Sequence, residues 1–249
     1  MMQTIPLLGL DFADPVLQEA ARWVLARSPQ APFDYVVTPN ADHLVRIAGN
    51  PVLAAVYRNA ALRLLDSRVV AGAARVFGLT APRVVTGSDL TERLLRDVPP
   101  DERVTIIGLH DAWLARLIQR TGLAAPAHYD PPIGFERDPE GLAAAVRFVI
   151  EHPARLVFLA VGSPRQEILA AAIKASGQAT GLGLCIGASL EFLAGARPRA
   201  PHWMQSVGLE WLHRLGRDPY RLARRYLLQD PAVFSLLLRE RAALTRTSG

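Results

Sequence analysis

"RLVFLAVGSPRQEILAAAIKASG", residues 155 to 177, carries the pattern on which the fold turns. Leu156 to Val161 form a short apolar run, too short for a buried helix of ordinary length and rich in residues that favour strands. Gly162, Ser163 and Pro164 end it. An Ala- and Leu-rich helical stretch follows and closes at Gly177. This is a buried strand turning into a helix. The unit recurs along the chain. "DYVVTP" (34–39) precedes "NADHLVRIAGN", "LRLLDS" (62–67) precedes "RVVAGAARVFG", "RVTIIGL" (103–109) precedes "HDAWLARLIQRTG", and "TGLGLCIGAS" (180–189) precedes "LEFLAGA". Such alternation predicts an α/β fold: a mostly parallel, Rossmann-like sheet with helices on both faces. Strand signals stop near residue 196. The expected organisation is therefore a Rossmann-like domain over 1–195 and a helical, Arg- and Trp-rich appendage over 196–249.

The bulk composition narrows the partners. Half of the 249 residues are hydrophobic, enough for a large core, and 28 Lys plus Arg against 23 Asp plus Glu leave a charge of +5. That balance favours an anionic ligand. The one cysteine, Cys185, rules out an internal disulfide framework and reads as a small buried hydrophobe. The N-terminus lacks a signal-peptide pattern, and no apolar run approaches the roughly 20 residues that span a bilayer. A cytoplasmic location is expected.

In open α/β sheets, ligands bind beyond the carboxyl ends of the strands. Those ends carry Thr38-Pro39-Asn40, Asp66-Ser67-Arg68, Gly108, Gly162 to Glu167, and Gly187-Ala188-Ser189. Asn40 suits a helix cap and equally a ligand contact. Asp66 either caps the next helix or serves as a general base facing the crevice. Gly162 allows close backbone approach, and Pro164 suits the start of a helix. No P-loop, Gly-x-Gly-x-x-Gly turn, Gly-x-Ser-x-Gly elbow or His-Glu-x-x-His is present. No Asp-x-Asp pair occurs either, so no metal or cofactor is expected, and a leaving diphosphate would have to be stabilised by side-chain cations.

Taken together, "TPNADHL", the Asp66 region, "RVVTGSDL", "VGSPRQE", "IGASLEFLAG" and "RAPHWMQSVGLEWLHRLGRDPYRLARRYL" make the sequence resemble the bacterial WecG/TagA/CpsF glycosyltransferases, also called glycosyltransferase family 26. The resemblance implies inverting, metal-independent transfer of a sugar from a UDP-sugar to a polyprenyl-diphosphate-linked saccharide in cell-surface polysaccharide synthesis. It places the enzyme at the inner face of the cytoplasmic membrane and leaves a homo-oligomer open. By matching motifs, it makes Asp66 the base with Thr38 beside it. Donor contacts would come from Asn40, Arg83, Gly108, Gly162, Ser163, Pro164, Gln166 and Glu191. Arg214, Arg221, Arg224 and Arg225 would take the diphosphate or the acceptor. Three departures stand out: Asp66-Ser67 replaces Asp-Gly, Leu190-Glu191 replaces Phe-Asp, and "IIGLHDAWL" replaces a glycine-rich turn. All fall where donor contacts are expected.

Two rival readings remain. A basic α/β protein holding nucleic acid would interleave cations and exposed aromatics along a groove, whereas here they gather at one end of the chain. A Rossmann-like methyltransferase would need a glycine-rich first turn, which is missing. Asp218-Pro219 predicts a break within the appendage, giving two short helices that converge on the site with Arg221 and Arg224 or Arg225 nearest the diphosphate.

Overall fold

The computed structural model describes residues 2–99, 101–206 and 208–247, with the backbone alone for His202, Ser206, Arg221 and Thr247. Six parallel strands form the sheet, in the order β4-β3-β8-β7-β5-β6. They are β3 (Asp34–Val37), β4 (Leu62–Arg63), β5 (Val104–Ile107), β6 (Ala127–Tyr129), β7 (Leu156–Leu159) and β8 (Leu182–Cys185). The apolar runs explain the centre: every residue of β5, β7 and β8 is buried. Helices cover both faces and divide the core in two. Tyr35, Val37 and Leu159 point to one layer, and Val36, Phe158 and Leu184 to the other. The expected α/β architecture is what the chain adopts.

Two elements carry no clear sequence signal. A hairpin of β1 (Thr4–Leu7) and β2 (Leu10–Ala13) stands apart from the sheet. It turns through Leu8 and Gly9, both at positive φ. That is the geometry of a tight two-residue hairpin turn, although Leu-Gly lacks the usual Asn or Asp. Pro6 within β1 also argues against a strand, and an edge position is where proline is tolerated. The other element is β6, three half-buried residues at the sheet's edge.

After β8 the described chain contains no further strand. Short helices His202–Ser206, Glu210–Arg217 and Pro219–Arg224 lead into a π-helical turn, Arg225–Gln229, and then the long helix Ala232–Thr247. The expected break occurs at Asp218, which leaves the helical conformation at φ −142° and ψ 65° between two helices. The last helix returns to the main body. Val233 and Leu237 are buried in the same core layer as Leu44 and Val70, and Glu240 Oε2 accepts a hydrogen bond from the Leu8 N–H at 2.8 Å.

Candidate active site

Sheet register gathers the loops. Val37 and Leu159 both pair with Cys185, and Ile107 pairs with Leu159. The residues that follow, Thr38, Ile186, Ala160 and Gly108, therefore leave the sheet at one level. Two cavities open along this edge.

The first, roughly 350 Å³, lies beyond β3 and β4 under the terminal segment. Asn40, Asp66, Thr86 and Ser88 line it from the sheet side; Glu210, Trp211, Arg214, Arg225 and Tyr226 line it from above. Three helices begin at its wall. Asn40 Oδ1 accepts from His43 N at 3.3 Å, Ser67 Oγ from Val70 N at 3.2 Å, and Thr86 Oγ1 from Asp89 N at 3.0 Å. Each cap satisfies one amide, and the positive ends of all three helices face the same space, which favours an anion there. Asn40 is thus a helix cap that also lines the cavity.

Asp66 follows β4, its own N–H bonded to Pro39 O at 3.0 Å. Its Oδ2 accepts from the Gly87 N–H at 3.0 Å. Burial pushes its carboxyl up to about 7, against the lowering effect of that bond. A carboxylate poised near neutrality can both take and release a proton. Behind it, Thr38 is buried and donates from Oγ1 to Cys185 O at 3.2 Å. A methyl group on Gly87 would stand only 2.9 Å from Thr38 Oγ1, so glycine lets the helix start press against both side chains.

Arg214 comes over the cavity from the helix Glu210–Arg217, paired with Glu210 at 3.0 Å and with its guanidinium 5.0 Å from the Phe192 ring centre. Burial works against its charge, but Glu210, Tyr226 and Asp66 outweigh that and raise its pKa. Arg225 also lines the cavity, yet it is engaged with Asp42 at 3.3 Å, Asn40 at 3.5 Å and Asp230 at 3.7 Å. Arg224 is exposed and lines neither cavity. The side chain of Arg221 lies outside the described residues. Trp211 meets Tyr226 edge-on at 6.0 Å between centroids, so these aromatics roof the cavity.

The second cavity, roughly 430 Å³, sits beyond β5 and β7. Here the chain leaves β5 for β6 on one side and β7 for β8 on the other, which makes it the switch point of the sheet. Gly108, His110, Trp113, Asp130, Arg165 and Glu191 line it. Gly108 has φ +89°, and a Cβ there would lie 2.9 Å from the Ala160 carbonyl carbon. The His128 ring nitrogen Nε2 bonds Gly108 O at 3.1 Å and Leu109 O at 2.7 Å, pinning the loop. Glu191 pairs with Arg197 at 2.5 Å. Its neighbour Phe192 faces Arg214, so the helix Ser189–Leu193 is the partition between the cavities.

The remaining predicted residues are placed differently. Gly162, Ser163 and Pro164 form the turn after β7, with Gly162 at φ +76°, but they do not line either cavity. Gln166 is buried behind the loop after β8. Arg83 lies apart, paired with Asp14 at 3.7 Å. Conversely, Gly87, Ser88, Trp113, Arg165 and Glu210 were not singled out as site residues. Each lies in a stretch quoted above: Gly87 and Ser88 in "RVVTGSDL", Trp113 in "IIGLHDAWL", Arg165 in "VGSPRQE" and Glu210 in the Arg- and Trp-rich segment. Among the described residues no helix is long and apolar enough to cross a membrane, and no three His, Cys, Asp or Glu side chains gather as a metal site requires.

Comparison with known proteins meets this geometry. The family described as "Glycosyl transferase WecG/TagA/CpsF family" matches residues 5–247. An N-acetylglucosaminyldiphosphoundecaprenol N-acetyl-beta-D-mannosaminyltransferase from Bacillus spizizenii is 28% identical over 250 residues, covering 97% of this chain and 94% of that protein.

Proposed function

The chain belongs to the WecG/TagA/CpsF family of glycosyl transferases, and from that premise we propose that it moves a sugar from a UDP-sugar to a polyprenyl-diphosphate-linked saccharide, with inversion and without a metal. The observation that carries the reading is Asp66, held near neutral pKa at the floor of a cavity ringed by three helix N-termini and Arg214. The relative from Bacillus spizizenii, whose name specifies a diphosphoundecaprenol acceptor, supports the lipid-linked acceptor.

The chemistry runs as follows. The acceptor hydroxyl hydrogen-bonds Asp66, which takes its proton as the oxygen attacks the anomeric carbon from the face opposite the diphosphate. The carbon–oxygen bond to UDP breaks, and the electron pair leaves on the diphosphate. Arg214 and the helix N-termini receive that charge. The Gly87 N–H holds the carboxylate in line, with Thr38 packed beside that glycine. We assign the nucleoside to the second cavity, where Trp113 offers a flat apolar face, Glu191 a ribose acceptor and Arg165 a cation. The exposed Trp203, Tyr220, Leu227 and Leu228 of the terminal segment suit the membrane surface that carries the acceptor.

The nucleic-acid reading is weaker on the same geometry. Arg199, Arg214 and Arg225 are paired with Asp89, Glu210 and Asp42, rather than aligned as a bare cationic track. The deciding experiment incubates the protein with a panel of UDP-sugars and short-chain prenyl-diphosphate saccharides and weighs the products by mass spectrometry. One added sugar, lost in Asp66→Asn, is expected. No product with any pair, alongside salt-sensitive retention on nucleic acid, would overturn the assignment.

A further inference from the structure

Between the two cavities and the core lies a row of polar side chains that line neither cavity. Gln166 and Glu167 are 2% and 1% exposed, in the first turn of the helix Arg165–Ser176. Gln166 Nε2 donates to Glu167 Oε1 at 2.8 Å, while Gln166 Oε1 accepts from the Gly187 N–H, also at 2.8 Å. A carboxamide has one donor end and one acceptor end. Glu167 fixes the donor end, so the acceptor end is the one that meets Gly187. Gly187 opens the loop that leads to Glu191 and the partition helix.

Arg46 approaches from the opposite side. Its guanidinium bonds Asp42 and donates to Ser163 Oγ at 3.4 Å. Asp42, itself buried, also receives Arg225 from the terminal segment at 3.3 Å. Ser163 Oγ lies 3.5 Å from the hydroxyl of the buried Tyr57. Burial drives the Glu167 carboxyl pKa upward, against hydrogen bonds from Gln166, Ser163 and Tyr57, and Arg46 Nε is buried without a hydrogen-bond partner, so the row is costly to desolvate. What the row does supply is orientation.

We propose that Glu167 and Arg46 are positioning residues for the transfer reaction: Glu167 fixes the Gln166 amide that holds the loop after β8, and Arg46 ties the turn after β7 to the seat of the terminal segment. The kinetic part of this proposal rests on the function assigned above; the structural part does not. Amide hydrogen exchange of the full chain without substrate, read by segment, is therefore measured beside the steady-state kinetics. Glu167→Leu is expected to speed exchange over residues 186–193 about ten-fold and to raise the donor KM by a similar factor, with kcat within about two-fold. Glu167→Gln, whose amide oxygen accepts the same bond, stays close to wild type in both. Arg46→Met, at a half-buried position, speeds exchange over 162–167 and 222–230 and gives a second reading if leucine at 167 prevents folding. The proposal is overturned if Glu167→Leu leaves the loop unchanged, if Glu167→Gln is as impaired as Glu167→Leu, or if the faster exchange spreads evenly over the central strands. A wild-type protein inactive with every UDP-sugar would fail the functional reading alone, and the exchange data would still decide the positioning.

Discussion

The Gly87 main-chain N–H donates to Asp66 Oδ2 across 3.0 Å, and the space where a side chain would sit on Gly87 is filled by Thr38 Oγ1 at 2.9 Å. A helix start, a carboxylate and a buried hydroxyl are thus closely fitted to one another. Gly87→Ala should force them apart. The expected loss is at least ten-fold in kcat together with about 1–3 kcal/mol of stability, as for an overpacked interior. Removing the obstructing oxygen in Thr38→Ala/Gly87→Ala should restore much of the stability, and thermal melts of the four proteins of this cycle measure the non-additivity.

Asp66 should show itself twice in pH dependence. Burial raises its carboxyl from 3.8 to about 7, so the folded protein retains a proton that the unfolded chain has already lost. Folding stability therefore falls as pH rises from about 4 to about 7 and levels off above. Transfer needs the ionised form, so kcat/KM should climb to a plateau above about 7. Asp66→Asn should lose roughly 100- to 10,000-fold in turnover. It should also melt above the wild type at pH 8, with the gap closing toward pH 4. Equal melting curves at both pH values would contradict the raised carboxyl of Asp66.

Arg214→Ala should slow transfer about ten- to hundred-fold with a water-soluble acceptor, because a charge-assisted hydrogen bond to phosphate is worth roughly 1.5–3 kcal/mol. Tyr220→Ser/Leu228→Ser changes only exposed apolar surface. It should keep the soluble-acceptor rate and lose binding to anionic vesicles. The two readouts separate chemistry from membrane attachment.

If protein cations alone neutralise the leaving diphosphate, turnover should persist after dialysis against EDTA. Complete loss restored by magnesium or manganese would require a carboxylate ligand set in addition to Asp66.

Leu237→Ala should destabilise the whole protein by about 2–5 kcal/mol, since Leu237 is fully buried against the core. The strands are complete by Cys185, so residues 1–195 retain the sheet. Without the last helix, that fragment should melt at least as far below the full chain as Leu237→Ala does. Differential scanning calorimetry of both proteins provides the comparison.

The sheet was readable from the sequence because β5, β7 and β8 are buried on both faces and β3 nearly so, which leaves short runs dominated by apolar residues. The hairpin was not readable, because Pro6 and the Leu8-Gly9 turn run against local preference and are held from outside by Glu240. Site residues at strand ends, such as Asp66 and Asn40, could be placed from the strand itself. Arg83 could not, because its partner Asp14 is remote in the chain, and the pairing of the cavity-lining Arg225 with the distant Asp42 was equally hidden. Trp113 lies in the departing stretch "IIGLHDAWL", but only the curl of the chain after β5 brings its side chain to the second cavity.

The bond from the Leu8 N–H to Glu240 joins residues 232 apart. On the ribosome the hairpin emerges long before the helix Ala232–Thr247 that covers it. Until that helix is made, Val70 and Leu44 must wait without Val233 and Leu237 beside them, an exposed apolar patch on an otherwise formed sheet. The sheet domain should therefore finish folding in one step after the helix Ala232–Thr247 clears the exit tunnel, and chaperone demand should peak just before it.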